Sequence, residues 1–248
     1  MSLEDDLRAL GLHGASQSLE EVIAIAVREA FSPRQVLEHV TKRERDHRRT
    51  HSYGRRLRRS HLGRFAPVAD FDWAHPRRID RGLIEEAFSL RFVDDGGAVL
   101  FFGGTGTGKT HLAKALVHHA VAAGRSARFV HAQTLCDELA YQETTSGLER
   151  RLRYYLRPHL LCIDELAYQH IDIRRLDLLY ELVRRRYEAN RAVVVTACLQ
   201  PTDWATLMPS TAATSALVDR LLHRALVIDI DADSYRKRQS AERATTRK

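Results

Sequence analysis

No run of apolar residues in the chain approaches the roughly 20 that a membrane-spanning helix needs. The first charged residues are Glu4, Asp5 and Asp6, where a secretory signal would carry positive charge. The expectation is a protein that keeps off the membrane and stays in the cytoplasm. Cysteine is scarce: Cys136, Cys162 and Cys198 lie far apart, without the paired spacing of a metal site, and two fall in runs that read as buried strands. Reduced thiols and no zinc are expected from them. Internal repeats and long low-complexity tracts are absent as well. Apolar residues are not lacking, since 44% of the 248 residues are hydrophobic. That content excludes disorder of the whole chain and suffices for one large or two modest domains.

Basic residues exceed acidic ones by a formal +7, but unevenly. Residues 1–64 carry 13 Lys/Arg against 9 Asp/Glu, residues 65–233 carry 20 against 22, and residues 234–248 carry 6 against 1. The middle is neutral and both flanks are basic. Ten basic groups crowd into residues 41–64: Lys42, Arg43, Arg45, Arg48, Arg49, Arg55, Arg56, Arg58, Arg59 and Arg64, against Glu44 and Asp46. A solvated helix face would carry such a block too, but its density suits a polyanion, because displaced counterions drive the binding of cations to nucleic acid.

The first 60 residues read as helical. Ser18-Leu19-Glu20-Glu21 and Ser32-Pro33-Arg34-Gln35 both fit the capping box, and Pro33 presets the backbone of a first helical turn. A connection from Gly63 to Pro76, with Phe65, Phe71 and Trp73, separates this part from the next. From residue 98 apolar runs alternate with helical periodicity, the pattern of parallel strands covered by helices on both faces. The predicted strands are Ala98–Phe102, Ala127–His131, Leu160–Ile163, Ala192–Ala197 and Ala225–Ile230. Leu112, Leu116, Val117, Ala120 and Val121 set the period of the helix after the first strand. The expected organisation is a helical N-terminal domain over residues 1–64, an α/β nucleotide-binding domain over 65–233 and a basic tail over 234–248.

Gly103-Gly104-Thr105-Gly106-Thr107-Gly108-Lys109-Thr110, with His111 next, satisfies the Walker A pattern between a predicted strand and a predicted helix. Its glycines let successive backbone N–H groups turn inward around phosphates, and the helix N-terminus favours negative charge. Lys109 is expected to pair with the β- and γ-phosphates of ATP, and the Thr110 hydroxyl to ligate Mg2+. Leu160-Leu161-Cys162-Ile163-Asp164-Glu165 delivers two carboxylates at the carboxyl end of a buried strand, where ligands sit on such sheets. Asp164 is expected to hold Mg2+ through its waters and Glu165 to polarise the attacking water.

On these and further segments the chain resembles the IstB-like ATP-binding proteins, AAA+ helper ATPases of insertion-sequence transposition related to the DnaC helicase loaders. The segments are Phe71-Asp72-Trp73, Gly-Thr-Gly-Lys-Thr-His-Leu-Ala at 106–113, Ile163-Asp164-Glu165-Leu166-Ala167-Tyr168, Arg186-Tyr187-Glu188, Asp219-Arg220-Leu221 and Ser234-Tyr235-Arg236. The resemblance covers nearly the whole chain, most densely from Phe71 to Arg236. It implies an AAA+ fold, a homo-oligomer, double-stranded DNA and a cognate transposase as partners, an arginine finger at Arg220 and a second sensor at Arg236. One departure stands out. The strand Val193-Val194-Val195-Thr196-Ala197-Cys198 resembles a sensor strand that usually ends in Thr-Ser-Asn, and its Asn position is Cys198, a weaker hydrogen-bonding group. Thr196, on the same strand face, is the expected substitute, and slow hydrolysis is the expected consequence.

The reading is therefore an ATPase that assembles on DNA in its ATP state and is reset by hydrolysis. A DnaC-like helicase loader, a nucleotide-gated DNA scaffold with negligible turnover and a P-loop kinase are the alternatives.

Overall fold

In a computed structural model, residues 2–167, 170–209, 212–235 and 237–238 are described. Arg236 and most of the basic tail lie outside them. The chain divides into two compact units, Met1–Arg56 and Leu57–Lys248.

The N-terminal unit holds α1 (Leu3–Ala9), α2 (His13–Gln17), α3 (Leu19–Arg28) and most of α4 (Pro33–Arg59). The capping box predicted at Ser32 forms, with Gln35 Oε1 accepting from the Ser32 N–H at 2.7 Å and Ser32 Oγ accepting from the Gln35 N–H at 3.4 Å. The one predicted at Ser18 does not. Ser18 ends α2 as well as starting α3, and its hydroxyl donates backwards to the Gly14 carbonyl at 2.8 Å. An unpredicted box joins Ser2 and Asp5 at the start of α1. Glu44 on α4 is buried and accepts from the N–H groups of Gly14 (2.7 Å) and Ala15 (3.1 Å), thereby capping α2. Burial opposes ionisation of Glu44, but hydrogen bonds from Arg48, Ala15 and Gly14 outweigh it and hold the carboxyl below its usual range. Most other basic groups of α4 face outward: Lys42, Arg45, Arg48, Arg49, Arg55, Arg58 and Arg59 are exposed, while Arg43 and Arg56 are half-buried.

The second unit contains α5 (Arg81–Phe88), α6 (Arg91–Asp94), β1 (Ala98–Phe102), α7 (Lys109–Ala122), β2 (Ala127–His131), α8 (Ala132–Ala140) and α9 (Thr145–Leu156). They are followed by β3 (Leu160–Leu166), α10 (Ile173–Glu188), β4 (Ala192–Ala197), α11 (Ala212–Leu222) and β5 (Ala225–Asp229). All five strands are parallel, in the order β2-β3-β4-β1-β5. The predicted bounds of β1, β2 and β4 hold, β5 ends one residue earlier, and β3 runs three residues further. This is the expected five-stranded parallel α/β sheet. Every residue of β1 and β4 is buried, as continuous apolar runs require when helices cover both faces. The edge strand β5 is partly exposed instead. At the other edge the Phe129 N–H donates to the Ser60 carbonyl at 2.8 Å, so the chain after α4 covers part of β2. No helix among the described residues is long and apolar enough to cross a membrane. The three cysteines are unpaired; burial raises the Cys136 thiol to about 12 and the Cys162 thiol well above its usual range, so both are neutral packing groups.

Arg186 anchors the start of two strands. Its neighbours Arg184 and Arg185 pair with Glu181, Glu188 and Glu149, but Arg186 turns inward and is fully buried. Its guanidinium donates to the carbonyls of Tyr155 (2.7 Å), Pro158 (3.2 Å), His159 (3.2 Å) and Ala192 (2.6 Å), tying the turn before β3 to the first residue of β4. Burial, with Arg191 nearby, pulls its pKa down to about 9, still charged at neutral pH. An uncharged replacement removes this shared donor; the His159 carbonyl keeps the Ala192 N–H (3.1 Å), and each buried carbonyl left unpaired costs about 1–3 kcal/mol. Arg186→Leu should therefore lower the unfolding free energy by roughly 3 kcal/mol or more, read from a urea transition. An unchanged midpoint would contradict the anchoring role.

Candidate nucleotide-binding site

The carboxyl ends of β1, β3 and β4 meet because these strands are neighbours in the sheet, and each supplies one part of the site. After β1 the chain turns through the glycine-rich loop into α7. Gly103 and Gly108 are required by space as well as by backbone angle. Gly103 has φ +141°, and a Cβ there would stand 2.3 Å from the Ile230 carbonyl oxygen; Gly108 has φ +100°, and a Cβ there would meet Phe71 Cε2 at 2.6 Å. Lys109 opens α7, is buried, and donates through Nζ to the carbonyls of Gly103 (2.7 Å) and Gly104 (2.6 Å). Its charge thus sits within the curl of the loop, beside the N-terminus of a 14-residue helix. Thr107 Oγ1 donates to the Gly104 carbonyl at 3.0 Å, and the Gly106 carbonyl accepts from the Tyr235 N–H at 3.0 Å.

Between Ile163 and Leu166 the register of β3 against β4 shifts: Ile163 faces Val195 and Leu166 faces Ala197, so Asp164 and Glu165 together oppose Thr196. In a regular strand these adjacent acids would point to opposite faces. Here the bulge and a left-handed backbone at Glu165 (φ +60°) bring both to one cavity. Thr196 Oγ1 braces the arrangement, accepting from the Glu165 N–H at 2.9 Å and donating to Asp164 Oδ1 at 2.6 Å. The same Oδ1 accepts from Thr110 Oγ1 at 2.9 Å, linking β3 to the first turn of α7. Asp164 is fully buried, and its Oδ2 has no hydrogen-bond partner.

These groups border a cavity of about 480 Å³. Thr105, Gly106, Thr107, Gly108, Lys109, Thr110 and His111 form one wall, and Asp164, Glu165, Thr196 and Cys198 another. Gly103 and Gly104, in the same loop, do not line the cavity and contribute carbonyls to Lys109. Cys198 Sγ is 3.8 Å from Thr105 Oγ1. His111 contacts the Pro67 carbonyl through Nε2 at 3.0 Å and packs edge-on to Phe71. Arg220 is not brought to the cavity of its own chain: it lies on α11, its guanidinium 5.1 Å from the Tyr180 ring centre.

Sequence reasoning did not single out Phe71, His75, Tyr235 or His131 for this site. Phe71, His75 and Tyr235 form an aromatic wall, with the rings of His75 and Tyr235 5.0 Å apart. Phe71 and Tyr235 lie in segments that carry the family resemblance, but nothing local assigns them or His75 to one site, since they come together from segments about 160 residues apart in the chain. His131 ends β2 directly beside Asp164 in register; the predicted strand ended at His131, but its pairing with β3 was not predicted.

The residues fit a magnesium nucleotide: a lysine at a glycine-rich loop and helix N-terminus for phosphates, a hydroxyl and a buried carboxylate for the ion, and an aromatic side for a base. Thr196→Val keeps the branched shape but removes the donor to Asp164 and the acceptor of the Glu165 N–H. It should cost about 1–3 kcal/mol of stability in a urea transition, most of it recovered by Thr196→Ser. A Val variant as stable as the wild type would show that the brace contributes nothing.

Residues 5–243 match the family described as IstB-like ATP binding protein. Rv3427c of Mycobacterium tuberculosis (strain ATCC 25618 / H37Rv), named for ATP binding in an insertion sequence, is 29% identical over 245 residues, which are 99% of this chain and 98% of its own. The Pseudomonas aeruginosa protein named for ATP binding in insertion sequence IS21 is 29% identical over 237 residues, 96% of this chain and 89% of its own. Among solved structures, the DnaC helicase loader superposes with a TM-score of 0.51 at 18% identity, covering 69% of this chain and 97% of that one, and shares the AAA+ fold. With a family match across both units and a complete phosphate loop in place, the chain belongs to the IstB-like ATP binding proteins of insertion sequences.

Proposed function

We propose that this chain is a Mg2+-dependent ATPase that assembles as a homo-oligomer on double-stranded DNA in its ATP state, assists a cognate transposase in the cytoplasm, and is reset by hydrolysis. The observation that carries the reading is the convergence of Lys109, Thr110, Asp164 and Glu165 on one cavity. The Thr110 hydroxyl and, through water, Asp164 would hold Mg2+, which would neutralise charge on the phosphates. Lys109 meets the same oxygens. Glu165, with its side chain half exposed, accepts a proton from the water whose oxygen attacks the γ-phosphorus, while the bond to the β-phosphate oxygen breaks and ADP leaves. The Cys198 thiol stands at the sensor position on the cavity wall, and the Thr196 hydroxyl is occupied by Asp164 and Glu165, which supports slow turnover of an isolated subunit.

Arg220 supports the oligomer part. It is half-buried on α11 and outside its own cavity, and in this reading it acts as a finger on a neighbour's γ-phosphate, so that hydrolysis follows assembly. The exposed arginines of α4 offer the duplex its phosphate contacts. The DnaC-like fold favours a second reading, delivery of a helicase to single-stranded DNA, but the relatives that match this chain nearly end to end are named for insertion sequences.

Complementation between two defective subunits tests the scheme. Glu165→Gln should lower turnover by about two or more orders of magnitude while retaining ATP. Arg220→Ala should lower it by about 10³ to 10⁵ while an isolated subunit binds ATP normally. Mixed on DNA at fixed total concentration, the two variants should recover part of the DNA-stimulated phosphate release, because one interface then carries both an intact Glu165 and an intact finger. No recovery despite co-assembly in a pull-down, or full activity of Arg220→Ala alone, would overturn the trans role.

A further inference from the structure

His131 lines the cavity but has no part in the proposed ATPase chemistry, and its surroundings are those of a metal ligand. Its Nδ1 lies 3.4 Å from Asp164 Oδ2 and 3.9 Å from Glu165 Oε2, and one ligand atom from each of the three residues falls within 4.8 Å of the others. Four ligands at about 2.1 Å around a tetrahedral zinc stand about 3.4 Å from one another. One edge of the cluster already has that length, and Glu165, half exposed, closes the rest by side-chain rotation.

A second observation is independent of the spacing. Asp164 is buried to 1% side-chain exposure, and its Oδ2, aimed at His131, has no hydrogen-bond partner. A buried carboxylate oxygen left bare costs free energy unless something cationic meets it. An Nδ1–H donated from His131 would satisfy it, but no hydrogen bond forms between them. At 3.4 Å the two atoms stand at the separation of two ligands on one ion.

We propose that His131, Asp164 and Glu165 form a site for Zn2+ that fills without nucleotide, with water as the fourth ligand. An imidazole nitrogen with two carboxylates selects a borderline-soft ion such as Zn2+ over Mg2+, which prefers six oxygens and keeps its waters. The site uses none of the cysteines, so it stands apart from what their spacing addresses. It shares Asp164 and Glu165 with the proposed ATPase chemistry. Bound zinc takes the Glu165 carboxylate away from water activation and Asp164 away from Mg2+, which makes the nucleotide-free protein sensitive to zinc.

The test is a titration of the full chain with ZnCl2, free of nucleotide and Mg2+, with CoCl2 as a visible-absorbing probe. One equivalent should bind, with Co2+ giving the intense visible bands of a four-coordinate site. His131→Ala and Glu165→Gln should each weaken Zn2+ binding by at least about 10- to 100-fold, the cost of losing even an outer-sphere partner. Both side chains are half exposed, so the variants should fold, which circular dichroism checks. Should one misfold, the other carries the test. No stoichiometric binding by the wild type, or undiminished binding by either folded variant, overturns the site. ATP affinity of the wild type is measured separately in Mg2+, so failure of the nucleotide reading and failure of the zinc site are told apart.

Discussion

The hydroxyl of Thr196 sits where the site needs a single atom to do two things. The β3 bulge puts two residues opposite one, leaving an N–H without its regular ladder partner and a carboxylate buried beside it. Thr196 Oγ1 takes the Glu165 N–H and gives its proton to Asp164. That pair of bonds offsets the left-handed backbone at Glu165, a conformation that costs an L-residue roughly 1–2 kcal/mol. Through Asp164 Oδ1 the brace reaches Thr110 and so the first turn of α7. Phosphate loop and acidic strand end are thereby one hydrogen-bonded unit rather than two motifs that happen to be near.

This unit in turn depends on strand order. β3, β4 and β1 are successive neighbours in the sheet, so the bulge, its brace and the glycine loop emerge side by side at the carboxyl edge. The opposite ends of β3 and β4 are held by Arg186, whose guanidinium bonds carbonyls from the turn before β3 and the first residue of β4. The two strands that carry the acids and their brace are therefore pinned at both ends, with a buried apolar run between. A site built this way demands no mobile loop to hold the two acids in place.

How much of this the sequence made legible follows from whether each feature is local. The strands were legible because each is an unbroken apolar run, and the glycine loop because its glycines, Lys109 and Thr110 are contiguous. The bulge was not, since it is a relation between Ile163–Leu166 and a strand some thirty residues away. β3 accordingly reads as ending at Ile163 when pairing continues to Leu166. Ser18 misled for a local reason: its Ser-x-x-Glu spacing is right, but the preceding helix claims the hydroxyl. Arg186 is hidden within an Arg-Arg-Arg run that reads as one charged face, although only two of the three face solvent and paired acids. The aromatic wall of Phe71, His75 and Tyr235 joins distant segments and carries no periodic signal.

At the centre of the account is the claim that Asp164, held by two hydroxyls, presents its remaining oxygen for the ion that accompanies ATP. The measurement that bears on it most directly is ATP affinity with and without Mg2+ for the wild type and for Asp164→Asn, followed by calorimetry or a fluorescent nucleotide. The wild type should bind ATP more tightly when Mg2+ is added, and Asp164→Asn should bind metal-free ATP about as well as the wild type yet gain little from the ion. An equal gain from Mg2+ in both proteins would contradict the account.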